Sequence, residues 1–89
     1  MANVITVIGE RDKGDVDQYY VVTDNGWRRL GKTTRKADLI QSAVLAFEKQ
    51  IQSGSVLVVA HLGNELAYTV KFEAGMFAIE EMDFDEVEW

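Results

Sequence analysis

Apolar residues recur with two different periods along this chain, and the two periods divide it into strands and one helix. Between residues 66 and 72 they alternate with small or polar residues, which is the two-residue period of a half-buried strand. Between residues 39 and 51 they follow the 3.6-residue period of an amphipathic helix, and Gly54 is predicted to end that helix. Residues 55–61 are apolar on both faces, as in a central strand.

The remaining runs complete a predicted order of β-β-β-α-β-β-β. Runs rich in β-branched or aromatic residues predict strands at 4–8, 18–24 and 76–80. Thr33 or Thr34 is expected to cap the helix start. Because short connections favour antiparallel neighbours, the expected fold class is α+β, with one antiparallel sheet of five to six strands and one helix packed on one face. Residues 1–81 are expected to form a single domain, and residues 82–89 a tail or a final edge strand.

Residues 26–33 match G-x-x-x-x-G-K-T, the pattern of a phosphate-binding P-loop. Such a loop wraps its backbone N–H groups around phosphates and needs small side chains, whereas this segment carries Trp27 and Leu30. P-loop domains also use parallel sheets built from βαβ units of about 30 residues, and one helix is predicted here. Nucleotide binding through this motif is therefore the weaker interpretation.

A β-hairpin is the favoured interpretation of the same stretch. Asn25 and Gly26 both tolerate positive φ and lie between two strand-like runs, which is a strong signal for a two-residue turn. A turn at this position places Val21 opposite Leu30. Since side chains alternate across a strand, Tyr19, Val21 and Leu30 are then expected on the buried face.

Composition limits the chemistry of the chain. Its 89 residues include no cysteine and a single histidine, which argues against disulfides, thiol nucleophiles and zinc sites. His61, at a strand end beside a turn, is expected to be a partly exposed structural residue. No motif identifies a catalytic group, a cofactor or a metal site. Apolar runs of at most five residues argue against a membrane span, and the lack of cysteine favours the cytoplasm.

Charge is unevenly distributed along the chain. The net charge is −6, but residues 1–36 carry +2 and residues 37–89 carry −8. The acidic end is the predicted partner-binding site, and it comprises Glu80, Glu81, Asp83, Phe84, Asp85, Glu86, Glu88 and Trp89. The alternative site is a basic patch, and it comprises Trp27, Arg28, Arg29, Lys32, Arg35 and Lys36.

In size and charge the chain resembles small acidic inhibitor proteins encoded by bacterial viruses, which block nucleic-acid-handling proteins by presenting negative charge. The resemblance implies a non-enzymatic protein that mimics nucleic acid and binds a partner with a basic surface. Nucleic-acid or nucleotide binding through residues 27–36 is the alternative hypothesis. A third hypothesis is a self-associating assembly module or homodimer, because a small sheet leaves open edges that favour pairing between copies.

Overall fold

The computed structural model describes residues 3–11, 17–33 and 36–88, which form one six-stranded sheet with one main helix. The strands are β1 (Val4–Arg11), β2 (Asp17–Thr23), β3 (Gly26–Thr33), β4 (Val56–His61), β5 (Leu66–Glu73) and β6 (Met76–Met82). The main helix is α1 (Lys36–Ala46), a short helix α2 (Glu48–Gln52) follows it, and a 3₁₀ turn (Phe84–Glu86) follows β6. The α+β class and the predicted order of elements are confirmed.

The expectation of a purely antiparallel sheet is wrong. The strand order is β3-β2-β1-β4-β5-β6, and β1 pairs with β4 in parallel, from Val4 opposite Val56 to Gly9 opposite His61. The two hairpin connections make β3 run in the same direction as β1. The helices then return the chain to the starting end of the sheet, so that β4 also runs with β1. The sheet is therefore mixed, with one parallel pair at its centre.

The first hairpin forms, but its register differs from the predicted one by two residues. Thr23 pairs with Gly26, so that Asp24 and Asn25 form the turn, and Val21 lies opposite Arg28 instead of Leu30. The Thr23 hydroxyl donates a hydrogen bond of 2.6 Å to the Gly26 carbonyl across this turn. Residues 26–33 are thus an extended strand, which excludes the P-loop interpretation.

Leu30 still lies on the predicted face, because a register shift of two residues preserves the alternation of side chains, and a β-bulge occurs at this residue. Tyr20 pairs with Arg29 and Tyr19 with Gly31, so Leu30 is an extra residue in β3. Leu30 and Tyr19 both pack against the buried cluster that contains Val7. The bulge also changes which side of the strand the following residues occupy.

The helical region departs from the prediction at its start and in its middle. Thr33 ends β3 opposite Asp17, Thr34 lies outside the described residues, and α1 begins at Lys36. The predicted single helix is interrupted at Phe47. Gly54 ends the helical region as predicted: it has a φ of +107°, and the Ser55 N–H donates to the Gln50 carbonyl at 2.9 Å, a Schellman closure.

Two buried clusters occupy opposite faces of the sheet, and they define the face names used below. The first face carries a cluster that also includes the helical residues Leu39, Ala43 and Ile51, and its strand members are Val7, Leu57, Val59 and Val70. The second face carries the strand cluster Ile8, Ala60 and Ala67. Alternation of side chains along each strand separates the two sets. No helix in the described part of the chain is long and apolar enough to cross a membrane.

Candidate functional site

A buried polar network joins the start of β2 to the end of β4. Asp17 is fully buried and His61 is 3% exposed. The Arg11 Nε–H donates to Asp17 Oδ1 at 2.7 Å, and His61 Nε2 lies 3.0 Å from Asp17 Oδ2. On the other side of the imidazole ring, the Asn64 backbone N–H donates to His61 Nδ1 at 3.1 Å. One carboxylate at the start of β2 therefore connects the end of β1 to the end of β4.

The backbone bond from Asn64 determines the tautomer of His61. A backbone N–H can only donate, so Nδ1 accepts and the ring proton lies on Nε2, which donates it to Asp17. Burial raises the pKa of Asp17, but hydrogen bonds from Arg11 and His61 and the positive charge of Arg11 outweigh burial and lower that pKa below its ordinary value. The carboxylate is thus held ionised inside the fold.

This network stabilises the fold and does not have the arrangement of a catalytic site. Both nitrogens of His61 already have protein partners, and the ring has almost no exposed surface on which a substrate would reach it. The expectation that His61 is partly exposed is wrong. The sequence signal for the pair was weak: a single histidine ends an apolar strand, and Asp17 stands at the start of another strand 44 positions away.

The predicted acidic site is divided between β6 and the segment after it. Glu80 and Glu81 lie near the end of β6 and point to opposite faces, because they are neighbours on one strand. Asp83 begins the 3₁₀ turn, and its Oδ1 accepts a hydrogen bond of 3.0 Å from the Asp85 N–H. The exposed carboxylates of this end are Glu80, Glu81, Asp83, Asp85, Glu86 and Glu88. Trp89 lies outside the described residues.

The apolar residues of the acidic end pack on the protein itself. Met82, Phe84 and Val87 contact the second-face cluster of Ile8, Ala60 and Ala67. The prediction that Phe84 contacts a partner stays a prediction, while its ring contributes to the protein's own core. The segment after β6 therefore covers part of the second face, and its carboxylates lie along the outer side.

The predicted basic patch is divided by the geometry of β3. Trp27 lies opposite Val22 and Arg29 opposite Tyr20, which places Trp27 and Arg29 on the second face. Arg28, opposite Val21, points to the first face. By register Lys32 falls on the side of Arg29, because the bulge adds one residue between them, and at the sheet edge it also lines a hollow with Asp38 and Leu45 of α1. Arg35 lies outside the described residues, and of Lys36 only the backbone, at the start of α1, is described.

An apolar groove that sequence reasoning missed lies between α1 and β6. It has a volume of about 460 Å³, and its lining residues are Ile40, Gln41, Val44, Leu45, Glu48, Phe77 and Ile79. Leu45 and Ile79 are exposed on its walls. Two features of the sequence could have indicated this groove. Leu45 is an isolated leucine on the polar side of the predicted helix, and the run from Met76 to Ile79 carries no charge.

Comparisons with protein-family models, with curated proteins and with solved structures find no match for this chain. Within residues 3–11, 17–33 and 36–88, no three His, Asp or Glu side chains are grouped so as to hold a metal ion. The functional argument therefore rests on the physical features of three regions: the acidic end, the basic hairpin and the groove.

Proposed function

We propose that this chain is a binding protein without catalytic activity, and that it docks a basic protein partner in the groove between α1 and β6. The observation that carries the proposal is the groove's apolar wall, which exposes Leu45 and Ile79 to solvent. An apolar groove with exposed side chains on its walls is a recurrent feature of interaction sites.

The strand beside the groove supports docking by strand addition. In the sheet formed by the described residues, β6 is an edge strand paired with β5, and its residues 76–79 contain no charge, proline or bulge. The opposite edge, β3, carries Arg28, Arg29 and Lys32 together with a bulge, and such features protect edges from pairing. An extended partner segment therefore fits against β6, with its side chains entering the groove.

Charge indicates the chemistry of the partner. Glu48 lines the groove, and Glu81 lies on the same face of β6 as Phe77 and Ile79. The half of the chain that forms this edge has a net charge of −8. The matching segment carries apolar side chains flanked by Lys or Arg, and opposite charge accelerates its encounter with the groove. A nucleic-acid-handling protein supplies such a surface, and occupation of that surface would exclude nucleic acid.

The proposal is tested with a pair of variants matched in exposure. Leu45 and Val4 are each 64% exposed, but Leu45 lines the groove and Val4 lies on β1 outside it. We expect Leu45→Ser to weaken the affinity for a basic protein captured from nuclease-treated lysate by about 10- to 150-fold, since loss of a buried leucine costs roughly 1.5–3 kcal/mol. We expect Val4→Ser to leave capture unchanged.

A photo-crosslinking side chain introduced at Ile79 gives an independent readout. The proposal predicts that it forms a crosslink to an apolar, basic segment of the captured protein. Equal loss of capture with Leu45→Ser and Val4→Ser would contradict the groove, as would a captured partner that is acidic. Loss with Val4→Ser alone would move the docking surface to the segment after β6, which lies beside Val4.

A further inference from the structure

A second surface, on the opposite edge of the sheet, combines aromatic rings with positive charge. Tyr20, Trp27, Arg29 and Lys32 lie together on the second face of the β2–β3 hairpin, and we call this set the aromatic–basic surface. The rings of Tyr20 and Trp27 contact each other, with centroids 5.9 Å apart and planes tilted by 39°. Trp27 is 42% exposed, so the indole is fixed by its neighbour while much of it remains open to solvent.

The bulge is what assembles this surface. In a regular strand Arg29 and Lys32, three residues apart, would point to opposite faces. Leu30 is inserted without a pairing partner, so Lys32 lies opposite Gln18 and returns to the face of Arg29 and Trp27. A bulge that gathers two cations beside an exposed indole brings together the groups that bind phosphates and bases.

The cations of this hairpin are available to an anion. Residues 26–33 contain three basic side chains and no acidic one. Within the part of the chain that the structure describes, Arg28, Arg29 and Lys32 form no ion pair, whereas Arg11 pairs with Asp17. Aromatic stacking and phosphate contacts together are the means by which proteins hold single-stranded nucleic acid without reading its sequence.

The net negative charge of the chain does not prevent this binding. The edge strands β3 and β6 are separated by five strand spacings, about 24 Å, whereas charges are screened over about 8 Å at physiological salt. Glu86 and Glu88 are nearer, because they line a groove with Thr6 on β1, two strand spacings from β3. Glu10 also lies on this side and lines a hollow with Tyr20, so Glu10, Glu86 and Glu88 oppose an anion on the aromatic–basic surface, and the acidic residues around β6 do not.

We propose that the aromatic–basic surface binds single-stranded nucleic acid, with a base stacked on Trp27 and phosphates contacted by Arg29 and Lys32. A duplex keeps its bases stacked on each other, so the indole favours a single strand. This binding uses the strand at the opposite edge of the sheet from β6.

The test is a fluorescence anisotropy titration of labelled oligothymidylate and oligouridylate of about 15 nucleotides, with a duplex as comparison. We expect both single strands to bind better than the duplex. Trp27→Ala should weaken binding by about 5- to 150-fold, the range for losing one stacked base. Arg29→Gln should weaken binding. It should also reduce the slope of log affinity against log salt concentration by about one, the value for one lost phosphate contact.

Arg28→Gln is the matched control, since it removes the same charge from the neighbouring residue of β3 but on the first face. We expect it to weaken binding less than Arg29→Gln does. Replacing Glu86 and Glu88 by Gln should strengthen binding. The proposal is overturned if neither single strand binds at low salt, if the duplex binds equally well, if Trp27→Ala has no effect, or if Arg28→Gln and Arg29→Gln act equally.

Discussion

Asp17→Asn is the change that tests the buried network most directly. The carboxylate accepts hydrogen bonds from Arg11 and His61, and bonds that involve a charged group contribute about 1.5–3 kcal/mol each. An asparagine can turn its oxygen toward one donor only. Because His61 cannot change tautomer without losing the bond from Asn64, the oxygen is expected to face His61, and the bond to Arg11 is lost.

The exposure of Arg11 sets the expected magnitude. Its side chain is 43% exposed, so water replaces part of the lost interaction, and we expect the lower part of the range, about 2 kcal/mol. For a domain of this size that corresponds to a fall in melting temperature of about 8–16 °C. Asp24→Asn, at an exposed turn position, is the control and should change stability by less than about 0.5 kcal/mol.

The pH dependence of the stability difference between the unmodified protein and Asp17→Asn shows whether the charge of Asp17 causes that difference. The pKa of Asp17 is lower in the folded protein than its ordinary value of 3.8. The stabilisation from the carboxylate is therefore fully present above that value and is lost as pH falls through the lower, folded-state pKa. Urea unfolding of both proteins from neutral pH to below 3.8 should show the difference in unfolding free energy narrowing only at the acid end. A difference that stays constant into that range would refute an electrostatic role for Asp17.

Two further changes test the packing of the sheet. Gly9→Ala should destabilise the protein by about 1–3 kcal/mol, because a Cβ at Gly9 would overlap the buried side chain of Leu39. In thermal unfolding, adding Leu39→Val to the same chain should restore part of the lost stability. Ala74→Asn should stabilise the protein by about 0.5–1 kcal/mol, since Ala74 has a φ of +52° at the β5–β6 turn and Asn tolerates that conformation better. An unchanged midpoint of urea unfolding would show that Ala74 does not strain the turn.

Local patterns in the sequence predicted the elements well, because each depends on residues close together in the chain. The alternation in β5, the 3.6-residue period of the helix and the glycine at position 54 all act within a few residues. The interruption at Phe47 was missed because the apolar period continues through it: Ile51 is buried and Phe47 is half-buried. Periodicity reports which side chains face the core, and it does not report a change in backbone geometry that leaves those faces in place.

The site residues were harder to predict because their positions depend on pairing between distant segments. The turn at Asp24 and Asn25 moved the register of β3 by two residues, and the bulge at Leu30 then decided which side chains meet. A register shift of two keeps each residue on its predicted face, whereas a bulge exchanges the faces beyond it. Lys32 reaches the side of Arg29 for this reason, and no local signal in the sequence marks the bulge.

The parallel pair at the centre of the sheet converts the charge asymmetry of the sequence into an asymmetry in space. In a meander with strands in chain order, β3 would lie beside β4, and Arg28, Arg29 and Lys32 would occupy an internal strand. The observed order instead places the basic strand β3 at one edge and the acidic strand β6 at the other. The return of the chain through α1 and α2 produces this order, since it brings β4 beside β1. Because β3 and β6 are about 24 Å apart, a partner strand added at β6 is expected to leave Trp27 and Arg29 open, whereas Lys32 and the groove residue Leu45 line one hollow beside α1.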